Sequence, residues 1–408
     1  SSCCNTTGIK NVAIGYYAAA ANTTGQRNTV IGYNAFDANQ TSNFNTVVGH
    51  NALSAQTDGG YNVAVGDSAL SLSTTGSSLV AVGMGALQNN TTGTYNTAIG
   101  QAAGQGNTTG SSNISIGVNA NLSVTTASSN ISIGTNSLYN NTSAENVGIG
   151  KDALKSQTSG TNSTAVGTEA LNKNTTGNGN TGLGKQAGYF TTTGSNNTCV
   201  GFQAGRSTSS NTMASNTMIG SQVGYNHAGY YNFFGGASAA YYNTSGEYNV
   251  MIGYEAGQGS DTSGSANHYN TFVGARAGKN ITTATKATAI GYAAARDMTT
   301  AAHVTAVGYA AGQNITSGTD NTVVGVNALD ALTTGTHNTA IGYDCMGTAT
   351  TGGQNTAVGR SALTSITTSS ANAAFGYLSL LNASSVHQIL LLEPIQDMEK
   401  LRVVIILM

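Results

Sequence analysis

A chain of 408 residues with 54 Gly, 1 Pro, no Trp and only 7% charged side chains lacks the surface of an ordinary soluble enzyme, where about a quarter of residues are charged. A formal net charge of −2 and a pI near 6.3 exclude the basic footprint of a nucleic-acid binder. No apolar run approaches the roughly 18 residues of a membrane span. The chain opens on Ser1 rather than Met, as a processed chain or a fragment would, with a removed signal peptide included in that expectation.

Residues 1–10 supply only the second half of a unit, Asn5-Thr6-Thr7-Gly8 included. Cys3 and Cys4 stand side by side there. They read either as a frayed terminus or as a disulfide linkage between subunits or to a preceding segment, plausible in a secreted fibre. From Asn11 a register begins. Asn11-Val-Ala-Ile-Gly15 is followed by Asn28-Thr-Val-Ile-Gly32, Asn45-Thr-Val-Val-Gly49, Asn62-Val-Ala-Val-Gly66 and, after a unit opening on Leu79, Asn96-Thr-Ala-Ile-Gly100. The step is 17 residues, and 22 such units can be aligned, the last opening on Asn372. Steps depart from 17 only near 130–146 and between 197 and 270, where irregular loops are expected at 207–215, 225–231 and 258–269. The consensus is N-T/V-A-I/V-G-x-x-A-L/G-x-x-N-T-T-G-x-x. Position 5 is Gly in all 22 units, and position 1 is Asn in 18.

A fixed short period means one supersecondary unit per repeat, stacked on its neighbours. The prediction is an all-β parallel solenoid (a β-roll or β-helix) of about 17 residues per turn and 22 to 24 turns, forming a single domain over residues 1–388. Positions 1–4 read as a strand from their β-branched alternation. Gly at position 5 ends it in a conformation closed to other residues, and Ala at position 8 suits an inward corner. T-T-G at positions 13–15 reads as a second short strand with its turn. Stacked at the strand spacing of about 4.8 Å, the turns would make a rod on the order of 110 Å long. Asn11, Asn28, Asn45, Asn62 and Asn96 would form an amide ladder, beside the glycine column of Gly15, Gly32, Gly49, Gly66 and Gly100. Position 4 is apolar everywhere but at Gly235, so it is expected to face the core. Position 3 would then face outward, yet it carries Ala, Val, Met251, Phe272 and Cys199 rather than charges. A strand apolar on both faces is covered on both, most simply by another copy of the chain.

The N-T/V-A-I/V-G-x-x-A unit resembles the head repeats of trimeric autotransporter adhesins, whose S-V-A-I-G-type units build a left-handed β-roll in a trimer. It is also similar to N-T-A-I/V-G arrays of phage tail fibres and other surface fibres. The resemblance covers residues 5–388. It implies a homo-oligomer, such as a trimer or an end-to-end filament, at an extracellular, cell or virion surface. Its partners would be copies of itself, glycans or a host surface.

Chemistry is sparse. Asp67, Asp152, Glu169, Glu255 and Asp344 fall near positions 6–7 and are expected on turns too far apart for the carboxylate pair of a glycosidase. His50, His227, His268, His303, His337 and His387 show no metal-ligand spacing, and no cofactor is implied. Cys199 and Cys345 replace apolar consensus residues and read as buried thiols. Asn5, Asn22, Asn39, Asn90, Asn107, Asn141, Asn174 and Asn243 at position 12, with Asn280, Asn314 and Asn382 at position 11, stand in N-x-S/T context. In a secretory pathway these are N-glycan acceptors; otherwise a turn simply prefers Asn, Thr and Gly. Two functions remain. One is a structural or adhesive extracellular fibre, the alternative within it being a viral receptor-binding rod. The other is ice binding through Thr271, Thr288, Thr305, Thr322, Thr339 and Thr356, six successive position-2 threonines. Against ice stands the expectation that position 2 shares the core side with position 4, and the column is broken by Val12, Val63, Val80 and Ile114.

Residues 389–408 have no Gly, Asn or Thr and hold the only proline, Pro394. Codons legal for this stretch, read one base earlier, yield N-T-A-I-G-T-N-T-G-Y-G-K-T-T-G-G-N-N-T-Y. Its first Asn falls at 389, 17 after Asn372, and its T-T-G falls at positions 13–15. The tail is therefore expected to be a frameshifted repeat, with the native fibre continuing.

Overall fold

The computed structural model describes residues 4–208, 211–260 and 267–382, together with the backbone of 389–392 and 405–406. It is all-β, a parallel β-solenoid with one three-residue strand per turn of about 17 residues. Two compact units divide it: Ser1–Phe202 with Ser209–Thr212, and Gln203–Thr208 with Met213–Met408. The first holds β1 (Val12–Ile14) to β12 (Thr198–Val200). The second holds β13 (Thr217–Ile219) to β22 (Ala373–Phe375), followed by β23 (Ile389–Leu392) and β24 (Ile405–Ile406).

Within each unit, successive strands pair in parallel and repeat position meets repeat position, as in Val12↔Thr29, Ala13↔Val30 and Ile14↔Ile31. Irregular spacing does not disturb this register. The short turn after Asn130 still places Ile131 on Val147, because its missing residue comes out of the corner near Ser143. The long turn after Asn249 still places Val250 on Thr271. Of the three predicted loops, residues 227–229 form a short irregular corner, whereas 209–210 and 261–266 lie outside the described residues. Backbone pairing continues in phase to Ala373↔Leu390, one repeat on, and β23 then pairs antiparallel with β24. The side chains of 389–408, on which the frameshift expectation turns, lie outside the described residues.

The inside and the outside of the strand are the reverse of the sequence expectation. Position 3 is the core: Val30, Val47, Ala64, Ala98, Met251 and Phe272 are at most 1% exposed. Position 4 faces out, with Ile14, Ile99 and Ile341 at 58%, 41% and 38%. The reason is volume. Position 3 meets positions 8, 9 and 12 across a narrow turn, which mostly admits Ala, Ser or Gly. Larger residues do enter the lumen, as Phe272 does opposite Gly278, but position 4 lies on the other side of the pleat, so its Ile and Val point outward.

Position-5 glycines take φ between +115° and +146°, and those from Gly15 to Gly184 and from Gly220 to Gly359 lie against the glycine of the next turn. A Cβ on Gly325 would stand 2.2 Å from the Gly342 carbonyl oxygen. The corner after it is left-handed at non-glycine residues too, for example Asn51 and Leu53 at φ 50°.

The asparagine ladder forms, but mainly toward backbone. The Asn62 Oδ1 accepts from the Leu79 N–H at 3.0 Å, and its Nδ2 donates to the Gly76 carbonyl at 3.0 Å. Asn28 does the same for Asn45 N–H and the Ser42 carbonyl. Each amide thus satisfies one donor and one acceptor that strand pairing leaves open. T-T-G does not form a second strand. Instead the position-13 threonine hydroxyls donate to the carbonyl of the next turn's position 13, as in Thr74→Thr91→Thr108→Thr125 and Thr282→Thr299→Thr316→Thr333→Thr350→Thr367. The hydroxyl anchors a corner whose backbone is already hydrogen-bonded to the turn above, leaving no extended segment to pair.

Candidate functional surface

Because position 3 points inward, positions 2 and 4 build an outward strand face in each unit, made mostly of Thr, Val and Ile. No charged residue occurs at either position in any repeat. The strand ends where the chain must turn, and positions 6 and 17 stand as two rows along the borders of this face. Both rows are rich in aromatics that stack turn upon turn. In the position-6 row Tyr16 lies on Tyr33 and Tyr33 on His50, with centroids 5.5 and 5.6 Å apart, and Tyr292 lies on Tyr309 at 5.2 Å. In the position-17 row Phe44 lies on Tyr61 at 4.9 Å, and Tyr231, Tyr248 and Tyr269 form a continuous stack at 5.1 and 5.3 Å. Charges sit in these rows too. His50 Nδ1 is 2.8 Å from Asp67, Asp320 lies between His303 at 3.1 Å and His337 at 3.8 Å, and Arg360 lies over Tyr343 and Tyr377. Sequence reasoning missed these rows, although their 17-residue spacing was there to be read.

The six position-2 threonines Thr271, Thr288, Thr305, Thr322, Thr339 and Thr356 share a face with position 4, as expected, but it is the outer face. Val or Ile stands beside each of them on β16 (Thr271–Val273) through β21 (Thr356–Val358).

Seven of the sequon asparagines are core residues. Asn22, Asn39, Asn90, Asn107, Asn141, Asn174 and Asn243 are at most 2% exposed. Most of these amides close the corner locally: Asn107 Nδ2 donates to the Gly110 carbonyl at 3.0 Å and to Asn90 Oδ1 at 2.8 Å. A glycan on such a nitrogen is incompatible with the fold. The same column holds Ile281, Met298, Ile315, Leu332 and Ile366 in the second unit, all fully buried, so position 12 is interior and Asn is its polar version. Asn5 and Asn382 are exposed, and Asn280 and Asn314 half-buried.

The separation expected between the acidic residues fails at one place. Asp152 and Glu169 occupy position 7 of adjacent turns. Asp152 is engaged by Lys155 at 3.1 Å and by Asn136 Nδ2 at 3.1 Å, and Glu169 accepts from Gln186 Nε2 at 2.7 Å. Glu255 bridges Arg276 at 3.1 Å and Lys279 at 2.8 Å; although burial pushes its carboxyl up, these cations and a hydrogen bond with Tyr254 leave it below the usual range. Among the described residues no three His, Cys, Asp or Glu side chains converge as a metal set would, and no helix is long and apolar enough to cross a membrane.

Cys199 and Cys345 are buried free thiols, and burial pushes both up to about 12. Cys4 is exposed, whereas Cys3 lies outside the described residues.

His227 takes the place of Asn at position 12 and is fully buried. Its Nδ1 donates to the Asn243 carbonyl at 2.9 Å, and its Nε2 accepts from Asn232 Nδ2 at 2.9 Å. Desolvation lowers its pKa to about 4, and a proton on Nε2 would confront the Asn232 amide donors. The unfolded chain then binds more protons than the folded one between pH 6.5 and 4. Stability is therefore full above pH 6.5 and falls as pH drops through that window, by about 3 kcal/mol at most. Urea unfolding at pH 7 and pH 4.5 should show this loss, and His227→Asn, which restores the column residue, should reduce it. Equal pH dependence in the variant would refute the assignment.

No protein-family model and no curated protein sequence matches the chain.

Proposed function

We propose that the chain is a structural protein of an extracellular fibre, in which the stacked solenoid is itself the function. The observation that supports this most is the cost of the regularity. Glycine stands at every position 5, amides bridge backbone between turns, and threonine hydroxyls tie corner to corner. Each device serves the continuation of the stack and none assembles a reactive centre. Adhesion to a host surface or a glycan is the finer version of the same reading, supported by the resemblance to surface fibres. Electron microscopy of the purified chain should show rods or filaments, with fibre diffraction giving a 4.7–4.8 Å repeat along the axis. Compact particles without that reflection would overturn it.

A second reading has one specific observation in its favour. The Thr column and its Val/Ile neighbours form an uncharged outward face, which removes the objection raised from sequence to ice binding. Thermal hysteresis and altered ice-crystal shape in dilute solution would establish it.

A further inference from the structure

We propose that the stacked tyrosines of the second unit are sites of oxidative cross-linking, at which Tyr231, Tyr248 and Tyr269, and separately Tyr292 and Tyr309, become joined turn to turn by carbon–carbon bonds. Three observations carry the proposal. The first is geometry. The rings lie face to face, at 5.1 and 5.3 Å in the three-ring stack and 5.2 Å in the pair, with interplanar angles of 3° to 16°. The backbone fixes this register: the Tyr269 N–H donates to the Glu247 carbonyl at 3.1 Å and the Ala310 N–H to the Tyr292 carbonyl at 2.8 Å. Each ring therefore holds the carbon beside its phenol oxygen close to that of its neighbour, and a small rotation of the two side chains brings them to bonding distance. The second is the phenol. All five rings are between 44% and 57% exposed, so an oxidant in solution reaches them while the stack keeps them together. Stacking alone does not require a hydroxyl, as Phe44 on Tyr61 shows, yet every ring of these two stacks is a tyrosine. The third is competition. A one-electron oxidant draws on Trp, Tyr and Cys; the chain has no Trp, and Cys199 and Cys345 are buried, leaving Cys4 as the exposed thiol among the described residues.

The oxidant is hydrogen peroxide acting through a haem peroxidase. Each phenol of a stacked pair gives up one electron and its proton, and the peroxide takes both electrons and both protons and leaves as two waters. The two tyrosyl radicals couple at the Cε carbons beside the oxygens, forming one carbon–carbon bond. The hydrogen on each of those carbons then moves to its own phenol oxygen. Two aromatic phenols are restored, and the linked product, a dityrosine, lacks two hydrogens. Stacking turns the coupling into a reaction between groups already held together. The bond joins residues 17 apart in Tyr231–Tyr248 and Tyr292–Tyr309 and 21 apart in Tyr248–Tyr269. Each closed loop removes conformational freedom from the unfolded chain, so turns held by hydrogen bonds gain a staple that reducing agents do not open. Cross-linking does not depend on the fibre reading: compact particles with linked tyrosines would satisfy the one and fail the other, and filaments without links would do the opposite.

The test treats the full chain, in a Cys3→Ser/Cys4→Ser background, with a haem peroxidase and hydrogen peroxide in dilute solution. The band of single-chain mobility on a denaturing gel is then digested. Cleavage after Glu247, Glu255 and Arg296 separates the partners of each stack, so a link appears as two joined peptides lacking two hydrogens, with dityrosine fluorescence. Tyr61, Tyr95, Tyr254 and Tyr343 are similarly exposed but have no tyrosine on the adjacent turns of their rows. Stacked tyrosines are expected to be linked at least about tenfold more often than these four. Tyr248→Phe keeps a ring in the stack and is expected to abolish both links there while leaving Tyr292–Tyr309 intact. Tyr254→Phe/Tyr343→Phe is expected to change neither. If circular dichroism shows that Tyr248→Phe does not fold, Tyr309→Phe gives the same reading on the two-ring stack. Absence of linked peptides from the stacks would overturn the proposal. So would links at the four isolated tyrosines as frequent as those at the stacked ones, or a dityrosine yield that the stack variants leave unchanged.

Discussion

Replacing Gly325 by Ala is expected to destabilise the second unit by about 4 kcal/mol or more, one of the largest effects a single methyl group can have. Two costs add. The φ of +142° lies in a region essentially reserved for glycine and costs about 1–3 kcal/mol for any other residue. The new Cβ would also stand 2.2 Å from the Gly342 oxygen and 2.7 Å from its carbonyl carbon. Neither atom can swing aside, because both belong to the backbone of the next turn, which is itself stacked on Gly359. The comparison is Gly85→Ala at position 7. There φ is +66° and the nearest atom is the end of the Gln105 side chain at 3.4 Å. Ala already occupies that position at Ala102 with φ 55°, so the cost should stay within about 1 kcal/mol. Chemical unfolding followed by circular dichroism measures both. Equal effects would mean that the glycine column reflects composition rather than backbone contact.

The period and the strand were legible because backbone demands left their mark on every repeat: glycine where a Cβ cannot fit, asparagine where a donor and an acceptor need partners. Orientation was not legible from hydrophobicity. Ile at position 4 is more apolar than Ala at position 3, and in a wide core it would be the buried residue. In this narrow turn volume wins, and Ala98 is buried while Ile99 is exposed. The same mistake in scale affected Asn22 and Asn107. Their N-T-T context reads as an exposed acceptor, yet only their place opposite position 3 decides their fate, and that is a property of the closed turn. Thr74 and Thr91 looked like strand residues by type. Their hydroxyls, bonded to the carbonyl one turn on, replace the ladder a strand would have made. The rows of Tyr at positions 6 and 17 escaped notice because Tyr fills these positions only in some runs of repeats, with Lys, Ser or Asn in others, and no consensus residue marks the column.

If position 3 is the core, its volume must trade against position 9 across the turn, and the region around Phe272 allows that to be tested. Phe272 is fully buried, and its ring edge lies 2.6 Å from where a Cβ on Gly278 would stand. Neighbouring turns show the same compensation, with the Met251 and Met218 side chains filling the space that a Cβ on Gly257 and on Gly224 would need. Turns with Ala at position 3, such as those of Ala64 and Ala357, carry Leu70 and Leu363 at position 9 instead, at φ 55° and 52°. Leucine is therefore tolerated by the backbone wherever the space is open, and Gly278 has a φ of 56°. Phe272→Ala alone should cost about 3–5 kcal/mol through the cavity it leaves. Gly278→Leu alone should cost about 1–3 kcal/mol or more from overpacking against the ring. Together they recreate the Ala/Leu turn found elsewhere, so the double variant should recover most of the loss, with a coupling of about 2–3 kcal/mol. Additive losses in the double-mutant cycle would show that positions 3 and 9 do not share one space.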